Sequence, residues 1–247
     1  MYYWSGHSYG TGLLIVQSTL FEYVQGGYNI TCIVTGEQWK QNTYIVTRVS
    51  SSNTIIVDPG DNAELIISCI QDGGGKVTRI LLTHPHHDHV GAVTQVSEYF
   101  NVVCELHKQD VRLLKHAPMY ALRFANKTMA PISRFQHFEE LCLDTEVPPV
   151  RSIHTPGHTK GSVCYLFDSF VLTGDTLLYK HIGRTDLPGS SAEEISKSID
   201  KLLNELSDEM MLFPGHGKPW TVGEAKEWWR ELQKMPPTHR NFNDKLS

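Results

Sequence analysis

Apolar and polar positions alternate in short runs along the first part of the chain. The runs Leu14–Val24, Ile30–Thr35, Thr43–Thr47 and Thr54–Val57 read as successive strands, with Gly26-Gly27, Gly36 and Ser50-Ser51-Ser52-Asn53 as the turns between them. They predict a β meander. Past Asp58-Pro59-Gly60-Asp61 the spacing becomes helical over Ala63–Ile70, until Gly73-Gly74-Gly75 breaks it. A strand over Val77–Thr83, a helix over Val90–Tyr99, a strand over Val102–Leu106 and a helix over Gln109–Lys115 follow, the alternation of an α/β layer. From Ala117 to Glu140 the pattern weakens into an irregular mixture of aromatic, basic and apolar residues around Pro118 and Pro131, either an insert that walls or covers a pocket or a plain surface connection with a helix. Ser162–Phe167 and Phe170–Thr173 then read as a hairpin about Asp168-Ser169, Ala192–Leu206 as a helix, Met210–Phe213 as a short strand and Ala225–Gln233 as a last helix.

Composition narrows the class. The 247 residues, 40% of them hydrophobic, suit one domain, with 1–12 an N-terminal extension and 236–247 a frayed tail. A formal charge of −5 offers no basic footprint for nucleic acid, and no basic amphipathic run or long apolar stretch points to a membrane. A cytoplasmic location and a small or neutral partner are expected, and a homodimer is allowed for. Cys32, Cys69, Cys104, Cys142 and Cys164 lie beside apolar neighbours with no C-x-x-C pair, so they read as buried thiols rather than a disulfide frame.

The chemistry is concentrated in Thr83-His84-Pro85-His86-His87-Asp88-His89, four imidazoles and a carboxylate on a loop between an apolar strand and a helix. Open sheets present ligands at the carboxyl ends of their strands, and neutral imidazole with carboxylate suits zinc, iron or manganese. A solvated turn would not need such a density of histidine. Three further ligand-like residues lie near glycine at strand ends: His158 in Pro156-Gly157-His158-Thr159, Asp175 in Thr173-Gly174-Asp175-Thr176, and His216 in Pro214-Gly215-His216-Gly217. Glycine there lets backbone approach an ion closely.

With Asp58, the H-x-H-x-D-H loop, His158, Asp175 and His216 in this order, the chain resembles the metallo-β-lactamase-fold hydrolases, and within them the short branch of glyoxalase II-like (hydroxyacylglutathione hydrolase-like) enzymes. The resemblance runs from about Thr43 to Glu227. It implies an α+β fold, a four-layer αββα sandwich with metals at one edge. It also implies that His84, His86 and His158 bind one divalent ion, that Asp88, His89 and His216 bind a second, and that Asp175 bridges them. Zinc is the expected metal, with iron or manganese as alternatives. Asp58 would orient a ligand from behind, while His87 and His154 fall at non-ligand positions. Two ions roughly 3.5–4 Å apart can bridge a water, lower its pKa and polarise a carbonyl, with Asp88 and Asp175 beside the attacking oxygen as the catalytic carboxylates.

Within the family, Asp175 stands where the antibiotic-hydrolysing lactamases carry other residues, which makes a β-lactamase or lactonase the less expected reading. The stretch Gly183-Arg184-Thr185-Asp186 resembles one shared by short glyoxalase II-like hydrolases and iron persulfide dioxygenases, whereas Pro214-Gly215-His216-Gly217 resembles the hydrolase form. A thioesterase is therefore expected, acting on an acyl-glutathione, acyl-coenzyme A or acyl-carrier-protein substrate; a mononuclear iron persulfide dioxygenase is the alternative. Nothing after His216 matches the helical glutathione-binding domain of full-length glyoxalase II, so the thiol carrier stays open. Tyr120, Arg123 and Phe124 in the insert, and Tyr179, His181 and Arg184 after Asp175, are the candidate substrate contacts, with an Arg184–Asp186 ion pair as the structural alternative for Arg184.

Overall fold

The computed structural model describes residues 19–143 and 149–235. Four antiparallel strands open the chain: β1 (Thr19–Gln25), β2 (Tyr28–Thr35), β3 (Gln41–Arg48) and β4 (Asn53–Val57). After helix α1 (Ala63–Asp72), the strands β5 (Lys76–Leu81), β6 (Cys104–His107) and β7 (Phe135–Phe138) join β4 in parallel, giving a sheet in the order of the sequence. The helices α2 (His87–Val90), α3 (Val93–Phe100) and α4 (Val111–Ala125) fill the crossovers.

The second half makes its own sheet. It comprises β8 (Cys142–Leu143), β9 (Val150–His154), β10 (Val163–Leu166) and β11 (Phe170–Gly174), then a small ribbon of β12 (Leu177–Leu178) and β13 (His181–Ile182), helix α5 (Ala192–Glu205), β14 (Met211–Pro214), β15 (Trp220–Thr221) and helix α6 (Val222–Lys234). The strand order is β15-β14-β11-β10-β9-β8, with only β11 and β14 parallel.

Strand periodicity explains the layers. Tyr44 and Val46 of β3 face Tyr165, Phe170 and Leu172 of the other sheet, while the intervening Ile45 joins Ile66, Val93 and Leu114 under the first helices. On the far side Val171 and Leu212 pack with Ile195, Ile199 and Trp229 of α5 and α6. Both faces of the inner strands are therefore covered, which is why β4 and β11 read as nearly continuous apolar runs. The four-layer αββα sandwich is observed.

Several expectations are corrected. The predicted helix over Val90–Tyr99 is two helices: α2 starts inside the histidine loop, and Gly91, where a Cβ would lie 2.3 Å from the Gly60 carbonyl oxygen, separates it from α3. The insert begins as helix, because α4 runs unbroken through Pro118 with Leu114, Ala117 and Ala121 on its buried stripe. That apolar spacing outweighs the amide hydrogen lost at proline. Its end, β7, extends the first sheet. Cys32, Cys104 and Cys164 are buried, but Cys69 is half-buried and Cys142 exposed. Positions 14–18 of the first predicted strand, the extension 1–12 and the tail 236–247 lie outside the described residues. Among the described residues no helix is long and apolar enough to cross a membrane.

Candidate metal centre

The parallel pairs β4–β5 and β11–β14 end at the same edge of the sandwich, and the ligand-like residues emerge there. Asp58 follows β4 in a left-handed conformation, φ 50°, and turns its carboxylate across to the loop after β5. Its Oδ1 accepts from the Thr83 amide at 2.7 Å; its Oδ2 accepts from the Thr83 hydroxyl at 2.5 Å and from His89 Nδ1–H at 2.9 Å. Since the Thr83 hydroxyl donates to Asp58, its oxygen accepts from His84 Nδ1–H at 3.1 Å. One buried carboxylate thus sets two rings and turns the Nε2 of each towards the site.

The same logic holds on the other sheet. His158 Nδ1–H donates to the Arg184 carbonyl at 2.9 Å, and His216 Nδ1–H to the Trp39 carbonyl at 2.8 Å. His158 Nε2 then lies 3.2 Å from His84 Nε2 and 2.9 Å from His86 Nδ1, and His216 Nε2 lies 3.2 Å from His89 Nε2 and 3.3 Å from Asp88 Oδ2. Two triads result, His84/His86/His158 and Asp88/His89/His216, each with its ligand atoms within 4.8 Å of one another. Asp175 stands between them. Its Oδ1 is 3.5 Å from His89 Nε2, and its Oδ2 is 3.5 Å from both His158 Nε2 and His216 Nε2.

The electrostatics differ between the triads. Burial, reinforced by the facing imidazoles, pushes His84 and His86 well below their ordinary range, and burial lowers His158 despite Asp175. Burial opposes ionisation of Asp88, yet His89 and His216 hold its carboxyl well below the usual carboxylate range. Burial would depress His89 too, but Asp175, Asp88 and Asp58 outweigh it and push it up to about 9; His216 is raised against burial by Asp175 and Asp88.

This donor set fits cations. The bare Nε2 atoms of His84 and His158, 3.2 Å apart, repel unless a positive centre sits between them, and Asp175 Oδ1 is buried with no hydrogen-bond donor. Glycine keeps the space open: at Gly215 a Cβ would come within 2.3 Å of Asp175 Oδ1 and 2.8 Å of His89 Cε1.

All seven expected ligand positions converge, with Asp58 behind them as expected. The candidate substrate contacts divide. Phe124 lies nearest, its ring centroid 6.4 Å from that of His87, and Tyr120 stacks on Phe124 at 5.8 Å. Arg123 is exposed beside Phe124. Tyr179 packs edge-on against Trp220, with the Lys218 ammonium 4.2 Å from its ring centroid. The half-buried His181 bonds through Nδ1 to the Ile182 carbonyl. Arg184 forks onto Asp186 at 2.9 and 2.8 Å, the structural alternative, and it meets the site through its backbone oxygen. His154 bonds to the Lys160 carbonyl, and His87 stays outside both triads. Sequence reasoning missed Trp39 and the buried Gln41-Asn42-Thr43 run. Asn42 donates to the carbonyls of Pro214 and Gly217 at 2.9 and 2.8 Å, tying β3 to the His216 loop. Three consecutive polar residues opening a buried strand were the available signal.

Known proteins resemble this chain in sequence and fold. Residues 36–216 match the family model of the metallo-beta-lactamase superfamily. Hydroxyacylglutathione hydrolase GloC of Haemophilus influenzae is 33% identical over 179 residues, covering 70% of this chain and 84% of its own length. The crystal structure of TTHA1623 in a di-iron-bound form superposes with a TM-score of 0.71 at 31% identity, covering 79% of this chain and 96% of that one. That of the BLEG-1 B3 metallo-beta-lactamase gives 0.72 at 29% identity, covering 80% and 96%. On the extent of the family match and the fold beneath it, the chain belongs to the metallo-beta-lactamase superfamily.

Proposed function

We propose that this protein is a dinuclear metal-dependent hydrolase of acyl thioesters. The observation that carries the reading is Asp175, whose two oxygens contact imidazoles of both triads. His84, His86 and His158 would hold one ion, Asp88, His89 and His216 the other, and Asp175 both. Zinc suits this mixture of imidazole and carboxylate, and iron is the alternative metal. Two such ions supply an activated water and an electrophile for the substrate carbonyl. The protein's own part is orientation: Asp58, Thr83 and the carbonyls of Trp39 and Arg184 each fix an imidazole through its Nδ1–H. The Asp88 carboxyl, held low by His89 and His216, would stand with Asp175 at the edge where water would attack, and a carboxylate oxygen there could accept its proton.

Those same hydrogen bonds favour a thioester. Asp58, Thr83 and the two backbone carbonyls are engaged in orienting the imidazoles, so a leaving group would have to rely on the proton that Asp88 or Asp175 had taken from the water. A thiolate, with a conjugate acid near about 8.5, leaves unaided, whereas an amide nitrogen does not. Likeness to GloC supports the same class, with the acyl group on glutathione, coenzyme A or a carrier protein. Phe124 and Tyr120 would line the approach. Three-residue iron chemistry of the dioxygenase kind would leave Asp88, His89 and His216 without a purpose.

Elemental analysis together with a panel of acyl thioesters, a lactone and a β-lactam tests the reading. About two ions per chain are expected, with thiol release at kcat/KM of about 10⁴ M⁻¹s⁻¹ or more for at least one thioester and slower turnover of the lactone and lactam. A fully metallated preparation that leaves the thioesters untouched overturns the proposal, as does oxygen uptake with glutathione persulfide at one iron per chain.

A further inference from the structure

We propose that Asp110 is a positioning residue for the metal centre: it holds the loop Thr155–Ser162 and so sets the place of His158 against His84 and His86. The inference rests on the metal-binding part of the reading above and is independent of the thioester.

Asp110 sits at the start of α4, only 2% exposed, with no cation paired to it among the described contacts. Its Oδ2 accepts from the Thr159 hydroxyl at 2.5 Å and its Oδ1 from the Gly161 amide at 2.9 Å, so its two oxygens bracket the stretch just after His158. The bonds have a fixed direction. Because Thr159 gives its hydroxyl proton to Asp110, Ser162 must give its own to Thr159 Oγ1 at 2.7 Å, while Ser162 Oγ accepts from the Thr159 amide at 3.0 Å. Gly161 is part of the device: a Cβ there would lie 2.7 Å from the Asp110 Cγ.

The same corner of the chain grips the loop at its other end. His107, also 2% exposed, stacks on His154 with centroids 4.2 Å apart and 20° between the rings, and His154 Nε2 bonds to the Lys160 carbonyl at 2.9 Å. Residues 107 to 110 therefore template both ends of the His158 loop from the first sheet, although His158 belongs to the second. The α4 helix that starts here packs on α2, which carries Asp88 and His89. One rigid element thus refers both ligand loops to a common frame. Burying a carboxylate has a cost, visible in the Asp110 carboxyl being pushed up to about 6 by burial against the bonds from Thr159 and Gly161. A loop that needed only a packed neighbour could have used an apolar side chain; one whose ligand must sit within a fraction of an ångström needs directed bonds.

Cobalt(II) titration of the full chain, followed by its visible absorption and by chelator competition, tests this. Two backgrounds separate the sites: His216→Ala leaves the first triad intact, and His158→Ala leaves the second. Asp110→Ala should weaken cobalt binding about tenfold in the His216→Ala background and by no more than about twofold in the His158→Ala background. Asp110→Asn, which keeps an oxygen for the Gly161 amide, should recover most of the loss. If Asp110→Ala does not fold, Thr159→Val removes one of the two bonds and should weaken the first site about threefold. Equal effects in both backgrounds, or a lowered melting temperature with unchanged cobalt affinity, overturn the positioning role alone. Failure of both backgrounds to bind cobalt overturns it together with the metal reading.

Discussion

The two triads share one loop and one bridging carboxylate, yet they are built to different electrostatic plans. His84, His86 and His158 are three imidazoles kept neutral by burial, and no carboxylate of their own stands among them. Asp88, His89 and His216 include one carboxylate, and Asp58 places a second behind His89. An ion on the first side would have Asp175 as the carboxylate set against its ligands, with Asp88 acting on His86 and His158 only from the neighbouring triad, whereas an ion on the second keeps Asp88 in any event. The supports differ as well. Each triad has one ring on a backbone carbonyl, of Arg184 at His158 and of Trp39 at His216, but the other ring rests on the neutral Thr83 hydroxyl at His84 and on the Asp58 carboxylate at His89. Two sites so close can therefore be weakened separately.

Replacing the shared charge should have the largest effect. Asp175→Asn keeps the shape and removes the charge, so the first site should lose about 100-fold in metal affinity and the second about tenfold. With one ion missing at working concentrations, kcat/KM should fall about 1,000-fold. Metal analysis after dialysis, beside steady-state kinetics, reads both. Equal loss at the two sites would erase the contrast. The next comparison pairs Asp58→Ala with Arg184→Ala. The first strips the acceptor from His89 Nδ1–H and from both Thr83 donors, and should cost the second site about 10- to 100-fold in affinity and the first site less, since Asp58 reaches His84 only through Thr83. The second removes only the exposed fork to Asp186 and leaves the carbonyl in place, so binding at His158 should stay within about twofold.

The contrast in supports also explains what could be read from the chain. Ligands carry their chemistry in the side chain, so His84, His86, Asp88, His89, His158, Asp175 and His216 were visible as residue types at strand ends. So were the inner strands, whose doubly buried faces leave apolar runs. A carbonyl acceptor is invisible, because every residue has one: Arg184 drew attention for a guanidinium that points to Asp186, and Trp39 drew none. The start of α4 was legible over Gln109–Lys115, but its continuation was hidden by Pro118, since a missing amide hydrogen looks like a break until Leu114, Ala117 and Ala121 are seen sharing one buried stripe. Asp110 was a lone acid whose partners Thr159 and Gly161 lie far along the chain. Only the fold brings them together.

What stands over the triads should matter less than what holds them. Phe124 beside His87 is 43% exposed, so truncation to alanine should remove about 1 kcal/mol of apolar contact. That predicts a KM about fivefold higher with kcat nearly unchanged. A fall in kcat instead would mean that the ring acts through the Asp88 loop and not through substrate.

The smallest effect is sought in stability, where acid should separate the two supports. The His216 side rests on Asn42 and Tyr44, which hold the Pro214 and Gly217 carbonyls with neutral groups that do not change charge in mild acid. The His158 side rests partly on His107, whose pKa burial lowers to about 4, with His154 and Lys108 adding to the shift and Glu139 opposing it. Below its ordinary value of 6.5 the unfolded chain takes up a proton at this residue that the folded chain refuses until about 4, so stability is lost as pH falls through that window. Asp110 has the opposite sign: with its carboxyl raised to about 6, the folded chain binds a proton before the unfolded one does, and stability is gained as pH falls. The neighbours partly cancel, which keeps the net slope shallow. His107→Phe keeps a ring against His154 and removes one of the two slopes. Compared with the unsubstituted chain by urea unfolding, it should gain about 1 kcal/mol near pH 5.5 relative to pH 7.5, and the gap should widen towards pH 4. A gap that does not depend on pH would mean that His107 holds the His158 loop by packing alone, leaving no titrating difference between the two sides.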